Sequence, residues 1–358
     1  MRFLFIVQGE GRGHMTQAIS MHDILIKNGH EVVEVLVGKS ERREIPKFFF
    51  EKIHAPIHTY ESPNFLVSNN NKGILLFQSI LYNLEHLGRY FKSMAFINKK
   101  INSTKPDLVI NFYELLAGLT YGIYNPSTPY ICLGHQFLLL HPNFVFPKGQ
   151  LLQRWMLNFN TRLTSFRAKK LLALSFSPMD DLPNKKLFVV PPLLRKEVLE
   201  LAPEDGGYIL GYMLNAGYSE EIVRWHQKQS HVVSHFFWDK KDVPEEMEAE
   251  ANLYFHRIND VKFLSYMKDC TAYASTSGFE SICEAMYLRK PILMVPTKGH
   301  FEQKSNSVDA SRAGAGIVSE SFDIGKLLTY IPQYDKKDQK FVNWAKTAEH
   351  RFLSLLTT

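Results

Sequence analysis

Two stretches of the sequence combine residue types and spacings that can do chemistry. The first is Gln8-Gly9-Glu10-Gly11-Arg12-Gly13-His14, where glycines alternate with polar residues ahead of a histidine. Glycines let the backbone turn sharply and approach a ligand closely. An imidazole titrates near neutrality and suits a general base. The plainer reading of His14 is a residue that caps or packs the start of a helix, and its position alone does not separate the two. The second stretch is Ser275-Thr276-Ser277-Gly278-Phe279-Glu280-Ser281-Ile282-Cys283-Glu284, where small hydroxyl residues and a glycine precede a helical pattern. Free N–H groups at a helix start, with hydroxyls beside them, can hold a diphosphate without a metal. The chain has no Asp-x-Asp pair, the usual sequence mark of a metal-chelated nucleotide-sugar site. Glu280 and Glu284 are four apart and share a helix face. A carboxylate there can accept both hydroxyls of a ribose. Taken singly, each is more ordinarily a solvated surface residue. A weaker signal is Glu302-Gln303, which follows the apolar run Pro291–Pro296. It falls at the C-terminal end of a strand, where α/β proteins bind ligands, and can exchange hydrogen bonds with sugar hydroxyls.

These residues need a scaffold, and the apolar pattern provides one. Short apolar runs alternate with longer amphipathic stretches, the signature of βα units around a parallel sheet. Strands are predicted at Phe3–Val7, Glu31–Val37, Leu108–Phe112, Tyr130–Leu133, Leu171–Leu174 and Leu187–Val190. A helix runs from His14 towards Lys27 and stops at Asn28-Gly29. Residues 62–73 read as a polar loop, and Ile74–Lys100 as one long amphipathic helix or a pair. Pro191-Pro192 breaks the chain, and Ala202–Gly207 is a linker by composition. The pattern then restarts with strands at Tyr208–Leu214, Val232–Phe237, Ala272–Ala274 and Ile292–Val295. Helices are predicted from Ser219 and over Phe279–Leu288 and Phe341–Leu356. The result is two α/β domains, residues 1–195 and 196–340, followed by a terminal helix in 341–358.

Composition sets the outer bounds. The 358 residues are 45% hydrophobic and 22% charged, as in ordinary globular chains, and carry a formal charge of +6. That charge is uneven. Residues 1–195 hold 23 Lys+Arg against 13 Asp+Glu, net +10, and the remainder is net −4. The three cysteines form neither a disulfide framework nor a metal-ligand spacing, which points to a reducing cytoplasm. No apolar stretch approaches the ~18 residues of a membrane span. A dinucleotide cofactor site is disfavoured. The glycines do not follow Gly-x-Gly-x-x-Gly, and the second strand ends Leu36-Val37-Gly38-Lys39 without an acid. Nucleic-acid binding is disfavoured too, because the basic runs are short and no recognition motif is visible. The run Gln136–Phe146 has two readings. With Lys148, Arg154, Arg162, Arg167, Lys169 and Lys170 it could anchor on an anionic bilayer, or it packs inside the protein.

Taken together, these residues resemble the two-domain GT-B glycosyltransferases. The likeness is greatest to the group holding the peptidoglycan N-acetylglucosaminyl transferase and the small-molecule UDP-glycosyltransferases. In that group the first glycine-rich loop ends in Gly-His, here Gly13-His14. Gly278, Ser281 and Glu284 keep the spacing of the donor-site motif, while Ser277 stands next to Gly278 rather than one residue further off. Glu302-Gln303-x-x-Asn306 matches the motif that follows the Pro-ended strand. Two departures stand out. Glu10 and Arg12 replace small residues, and Leu214-Asn215-Ala216-Gly217 replaces the usual Gly-Gly-Ser.

The resemblance implies two Rossmann-like domains flanking a cleft, with the C-terminal helix crossing back to the first. It implies an inverting, metal-independent transfer from a nucleotide-diphosphate sugar, UDP by preference, with no other cofactor. His14 would be the base. Ser277, Gly278, Phe279, Ser281, Glu284, Glu302, Gln303 and Asn306 would bind the donor, and Gly11, Arg12, Gly13 and Asn215 would make loop contacts. Backbone groups of residues 258–263, ahead of a helical turn at Leu264–Lys268, would read the base. The surplus positive charge of the first half favours an acidic or lipid-linked acceptor, reached from the cytoplasm at the inner face of a membrane. A nucleotide-sugar epimerase or hydrolase on the same fold, and a non-catalytic nucleotide-sugar binding protein, are the alternatives.

Overall fold

The computed structural model describes residues 1–41, 44–64, 82–213, 216–240 and 243–357. Its strands make two seven-stranded sheets. The first holds β1 (Arg2–Gln8), β2 (Glu31–Lys39), β3 (Ile57–Glu61), β4 (Leu108–Phe112), β5 (Tyr130–Gly134), β6 (Leu171–Leu174) and β7 (Leu187–Val190), in the order β3-β2-β1-β4-β5-β6-β7. Every pairing in it is parallel. The second holds β8 (Ile209–Met213), β9 (Ser234–Trp238), β10 (Glu246–Glu250), β11 (Leu253–Arg257), β12 (Ala272–Ser275), β13 (Ile292–Met294) and β14 (Gly316–Val318), in the order β10-β11-β9-β8-β12-β13-β14. Only β10–β11 is antiparallel. The central strands read as continuous apolar runs because helices cover both faces of a parallel sheet. β4 and β5 are buried at every residue. β3, β10, β11 and β14 were not legible in the sequence. The edge strand β10, Glu-Met-Glu-Ala-Glu, carries charge in the way edges discourage further pairing, and this hides it from an apolar search.

The helices among the described residues are α1 (Arg12–Lys27), α2 (Lys47–Lys52), α3 (Leu87–Thr104), α4 (Leu115–Ile123), α5 (Leu151–Thr164), α6 (Lys196–Leu199), α7 (Ser219–His226), α8 (Asp260–Asp269), α9 (Phe279–Tyr287), α10 (Phe301–Arg312), α11 (Ile324–Tyr330), α12 (Lys340–Lys346) and α13 (Ala348–Leu356). The helix read over Ile74–Lys100 is described only from residue 82 on, and most of the loop read at 62–73 lies outside the described residues. The single terminal helix is two, meeting at Thr347. Both halves return to the first sheet's side of the molecule. Trp344 Nε1 donates to the Ser175 carbonyl at 3.0 Å, Lys27 pairs with Glu349 at 2.7 Å, and Arg351 pairs with Asp181.

Strand order reverses between β1 and β4 in one sheet and between β8 and β12 in the other. Crevices open at such switch points beyond the carboxyl ends of the strands. Both chemically loaded stretches therefore fall on crevices, one after β1 and one after β12. A single buried apolar cluster joins the two units, from Phe5 and Met15 through Phe176 and Leu194 to Phe279 and Ile282.

Packing also decides the reading of the run 136–146. Gln136, Phe137, Leu138, Leu139 and Phe144 are buried, so this segment packs inside the protein. The exposed apolar surface lies just beyond it on α5. Leu151 is 75% and Trp155 62% exposed, with Leu152 and Phe159 beside them. Among the described residues no helix is long and apolar enough to cross a membrane.

Candidate active site

The turn after β1 is shaped by close backbone approach. The Gly9 N–H donates to the Gly38 carbonyl at 2.7 Å, and a Cβ at position 9 would lie 2.8 Å from both that oxygen and Val37 Cγ1. No larger residue fits. Gly11 then stands at the N-cap of α1. The helix thus begins at Arg12, two residues earlier than predicted, and Arg12 and Gly13 belong to its first turn rather than to a loop.

His14, in that first turn, is buried at 8% exposure. Its ring stacks on Tyr113, with centroids 5.7 Å apart. Nδ1 lies 3.2 Å from Gln17 Oε1, and Nε2 lies 3.4 Å from Gln136 Nε2. Both amides continue across to the second unit. Gln17 Nε2 donates to Glu280 Oε1 at 2.6 Å, and Gln136 Nε2 donates to Glu302 Oε1 at 3.0 Å. Burial pushes the His14 pKa below the ordinary 6.5, against the opposing pull of the Glu302 charge and the Gln17 hydrogen bond. The imidazole is therefore neutral at physiological pH, as a base must be.

The hydroxyl-rich stretch after β12 forms the facing crevice. Gly278 is the N-cap of α9 with extended backbone, so the N–H groups of the first turn open beyond the strand end. Ser277 is fully buried and, among the described residues, its Oγ has no hydrogen-bond partner. Asn306 Nδ2 donates to the Ser277 carbonyl at 3.3 Å, whereas Asn306 Oδ1 is buried and unpartnered. Ser281 Oγ donates to the Gly278 carbonyl at 3.4 Å. Gln303 is held from behind, its Oε1 accepting from the Thr297 N–H at 2.8 Å, and the His300 side chain caps α10 by accepting from the Gln303 N–H. The Phe279 ring stacks on His135 of the first unit at 4.2 Å and packs against Phe176.

The two glutamates of α9 are not solvated. Glu284 is 2% exposed, and Arg195 grips both its oxygens, Nε to Oε1 at 2.6 Å and Nη2 to Oε2 at 2.8 Å. Glu280 faces α1, where a Cβ on Gly13 would lie 3.2 Å from Glu280 Cγ. Burial pushes the Glu280 carboxyl up to about 8; the Gln17 hydrogen bond opposes this and the Glu284 charge adds to it. A further cross-cleft contact sets His135 Nε2 3.7 Å from Asp309 Oδ2.

The structure brings His14, Gly13, Glu280 and Glu302 together, and separately gathers Ser277, Gly278, Ser281 and Asn306. Asn215 lies outside the described residues. The segment read as base-contacting, 258–263, is mostly helix, because α8 begins at Asp260 under an Asn259 cap that accepts from the Lys262 N–H at 3.0 Å. Sequence reading missed Gln17, Gln136, Tyr113 and Arg195. Gln17 carried a usable signal, since it stands three residues from His14 on one helix face. The others meet the site only through tertiary folding. Among the described residues, no three His, Cys, Asp or Glu side chains gather as a metal site.

Comparison with known proteins agrees with this layout. Three solved glycosyltransferases share the fold at low identity. One is UGT2 of Phytolacca americana, complexed with UDP-2-fluoro-glucose and pterostilbene, at TM-score 0.68 and 11% identity over 99% of this chain and 98% of that one. Another is a UDP-glucosyltransferase of Polygonum tinctorium capable of glucosylating indoxyl, at TM-score 0.66 and 12% identity over 99% and 98%. The spinosyn forosaminyltransferase SpnP aligns at TM-score 0.60 and 13% identity over 100% and 98%. No curated protein matches the chain by sequence. The family model for glycosyl transferase family 1 matches residues 1–332, nearly the whole of both units, and this chain, a glycosyltransferase of GT-B fold, belongs to that family.

Proposed function

We propose that this glycosyltransferase moves a sugar from a UDP-sugar to an acceptor hydroxyl with inversion and without a metal, His14 serving as base. The carrying observation is the pair of atoms in the second crevice, Ser277 Oγ and Asn306 Oδ1, that are buried without a partner among the described residues. Buried polar atoms are rarely left unpaired, and leaving them so costs about 1–3 kcal/mol each. A ligand with phosphate oxygens for the hydroxyl and a sugar hydroxyl for the amide oxygen would satisfy both. The Phe279 N–H and the Ser281 hydroxyl would receive the diphosphate charge that develops as the bond breaks, the Gly278 N–H being already given to the Thr276 carbonyl. Glu284, fixed by Arg195, would offer its remaining lone pairs to the ribose. Glu302 and Gln303 would orient the sugar, and Gly11, Arg12, Gly13 and Asn215 would line the acceptor side. His14 Nε2 would take the acceptor proton as the oxygen attacks the anomeric carbon, a step worth roughly 10²–10⁴-fold in rate.

The same reading divides the chain into an acceptor unit (1–195), a donor unit (196–340) and a returning segment (341–358). It also places the acceptor at an anionic bilayer on the cytoplasmic side, as an acidic or lipid-linked molecule. The support is the exposed face of α5, where Leu151, Leu152 and the stacked pair Trp155 and Phe159 are flanked by exposed Arg154 and Arg162. Aromatic anchors among arginines suit anionic headgroups.

The test is turnover of UDP-sugars with extracted acceptors. Transfer, lost in His14→Ala, is the expected result. Epimerisation or hydrolysis of the donor without acceptor would favour the other chemistry. Co-sedimentation with anionic vesicles, reduced by Trp155→Glu and by salt, checks the bilayer reading.

A further inference from the structure

We infer that Glu280, acting through Gln17 across the cleft, is a positioning residue that holds the His14 ring as its Nδ1–H tautomer when the two units close. The inference rests on the reading of His14 as base and adds what arms it.

Two side-chain amides fix the tautomer independently. Gln17 Nε2 donates to Glu280 Oε1 at 2.6 Å, an oxygen that accepts in the carboxylate and also, with the proton on Oε2, in the neutral acid that burial favours. The Gln17 carbonyl oxygen then faces His14 Nδ1 at 3.2 Å, and only a protonated Nδ1 makes that contact a hydrogen bond. On the other side, Gln136 must present its NH₂ nitrogen to Glu302 Oε1 at 3.0 Å. The same nitrogen lies 3.4 Å from His14 Nε2, so Nε2 has a donor before it and is the ring's lone pair. The ring nitrogen that makes the orienting hydrogen bond decides which one is free to act as base. Both amides give the same answer: Nδ1–H bonded and Nε2 free.

The members come from both units. His14 and Gln17 are one turn apart on α1, while Glu280 lies in the first turn of α9. The close approach of Gly13 to Glu280 Cγ lets the two helices meet there. Among the described residues Glu280 Oε2 is shut off from solvent and has no hydrogen-bond partner, so none of them competes with Gln17 for the carboxyl. The charged groups acting on it are Glu284 and Arg195, which are paired with each other, and the one acting on His14 is Glu302. Opening the cleft separates Gln17 from Glu280 and releases the amide to rotate. Closure over a donor thus readies the base at the moment the acceptor is enclosed.

Side-chain ¹⁵N NMR of the full-length, histidine-labelled protein tests this directly, with His14→Asn to assign the signal. The expected wild-type spectrum shows Nδ1 protonated and Nε2 unprotonated, and this reading needs no variant to fold. Glu280→Ala and Gln17→Ala should move the ring towards the Nε2–H form. Each should lower kcat by roughly 10–100-fold, the range seen for groups that orient an imidazole, while UDP affinity holds. The acid limb of kcat/KM should shift to lower pH in Gln17→Ala, since that hydrogen bond raises the His14 pKa. The double variant should be no slower than the worse single one. Glu280→Gln, which keeps an accepting oxygen, should restore the tautomer lost in Glu280→Ala. An Nε2–H ring in the wild type, a tautomer indifferent to Glu280, or additive kinetic losses would overturn the inference. The Nδ1–H tautomer in a protein that transfers no sugar would sink the proposed function and leave the relay standing; transfer by an Nε2–H ring would do the reverse.

Discussion

In the crevice of the first sheet, both nitrogens of His14 already meet a side-chain amide; in the crevice of the second sheet, Ser277 Oγ and Asn306 Oδ1 are buried with no partner among the described residues. The two regions sit at equivalent switch points of similar sheets, yet the His14 ring nitrogens and the Ser277 and Asn306 oxygens are treated in opposite ways, although Gln136 Oε1 beside His14 is also buried without a partner among those residues. A group that must act on a proton gains from being oriented before substrate arrives. A group that must bind gains from being left unpaired, because the desolvation cost is already met in the free protein and the ligand alone can relieve it. On the proposed function, the contrast fits chemistry in one crevice and binding in the other.

The largest expected effect lies at the anchor of the binding side. Arg195→Met leaves the Glu284 carboxylate buried without its cation, and breaking such a pair costs about 3–5 kcal/mol. Urea unfolding would measure it, and a loss under ~1 kcal/mol would mean that the pair is not what holds α9 to the start of α6. Next comes Ser277→Ala, which removes an unpaired hydroxyl. It should leave the stability of the free protein unchanged or raised while weakening UDP by about 1.5–3 kcal/mol, the value of a hydrogen bond to a charged group. Calorimetry and thermal melts on one sample would show both. Destabilisation without loss of UDP would make the hydroxyl a packing group.

A smaller effect follows from the carboxyls enclosed around the cleft. Burial raises Glu280 to about 8, and Glu114 and Asp309 to about 7. A raised carboxyl contributes stability that is complete below its ordinary pKa and lost as pH climbs through the shifted one. The melting temperature should therefore lose this contribution between about pH 5 and 8. His14, depressed by burial, acts in the opposite sense, losing stability as pH falls below 6.5. Comparing Glu280→Gln with wild type removes that overlap. The variant's advantage should grow from pH 5 to 8 by about 2–4 °C for each kcal/mol. A constant difference would show that Glu280 titrates normally.

Much of the scaffold was legible because parallel sheets bury both faces. Leu108–Phe112, Leu171–Leu174 and Leu187–Val190 stand out as apolar runs, and each is a strand with those bounds. β10 was not, because an edge strand is written in charge. The candidate site was legible in its local parts: the glycine turn before His14 and the hydroxyls before α9. Its tertiary parts were hidden. Nothing near Arg195 in the sequence says that it meets Glu284, and nothing near Gln136 says that it reaches both His14 and Glu302. The apolar run at 136–146 shows the same limit, since composition could not tell a packed segment from an exposed one, whereas α5 beyond it is where the apolar surface faces outward.

The separation of binding from chemistry is tested most directly by one titration. UDP is titrated calorimetrically into wild type and His14→Ala, with turnover measured on the same preparations. If binding and chemistry are separate, both proteins share one dissociation constant and only the wild type transfers sugar. A variant that loses UDP affinity in proportion to its turnover would contradict it, because His14 would then be part of the binding cradle and not the base.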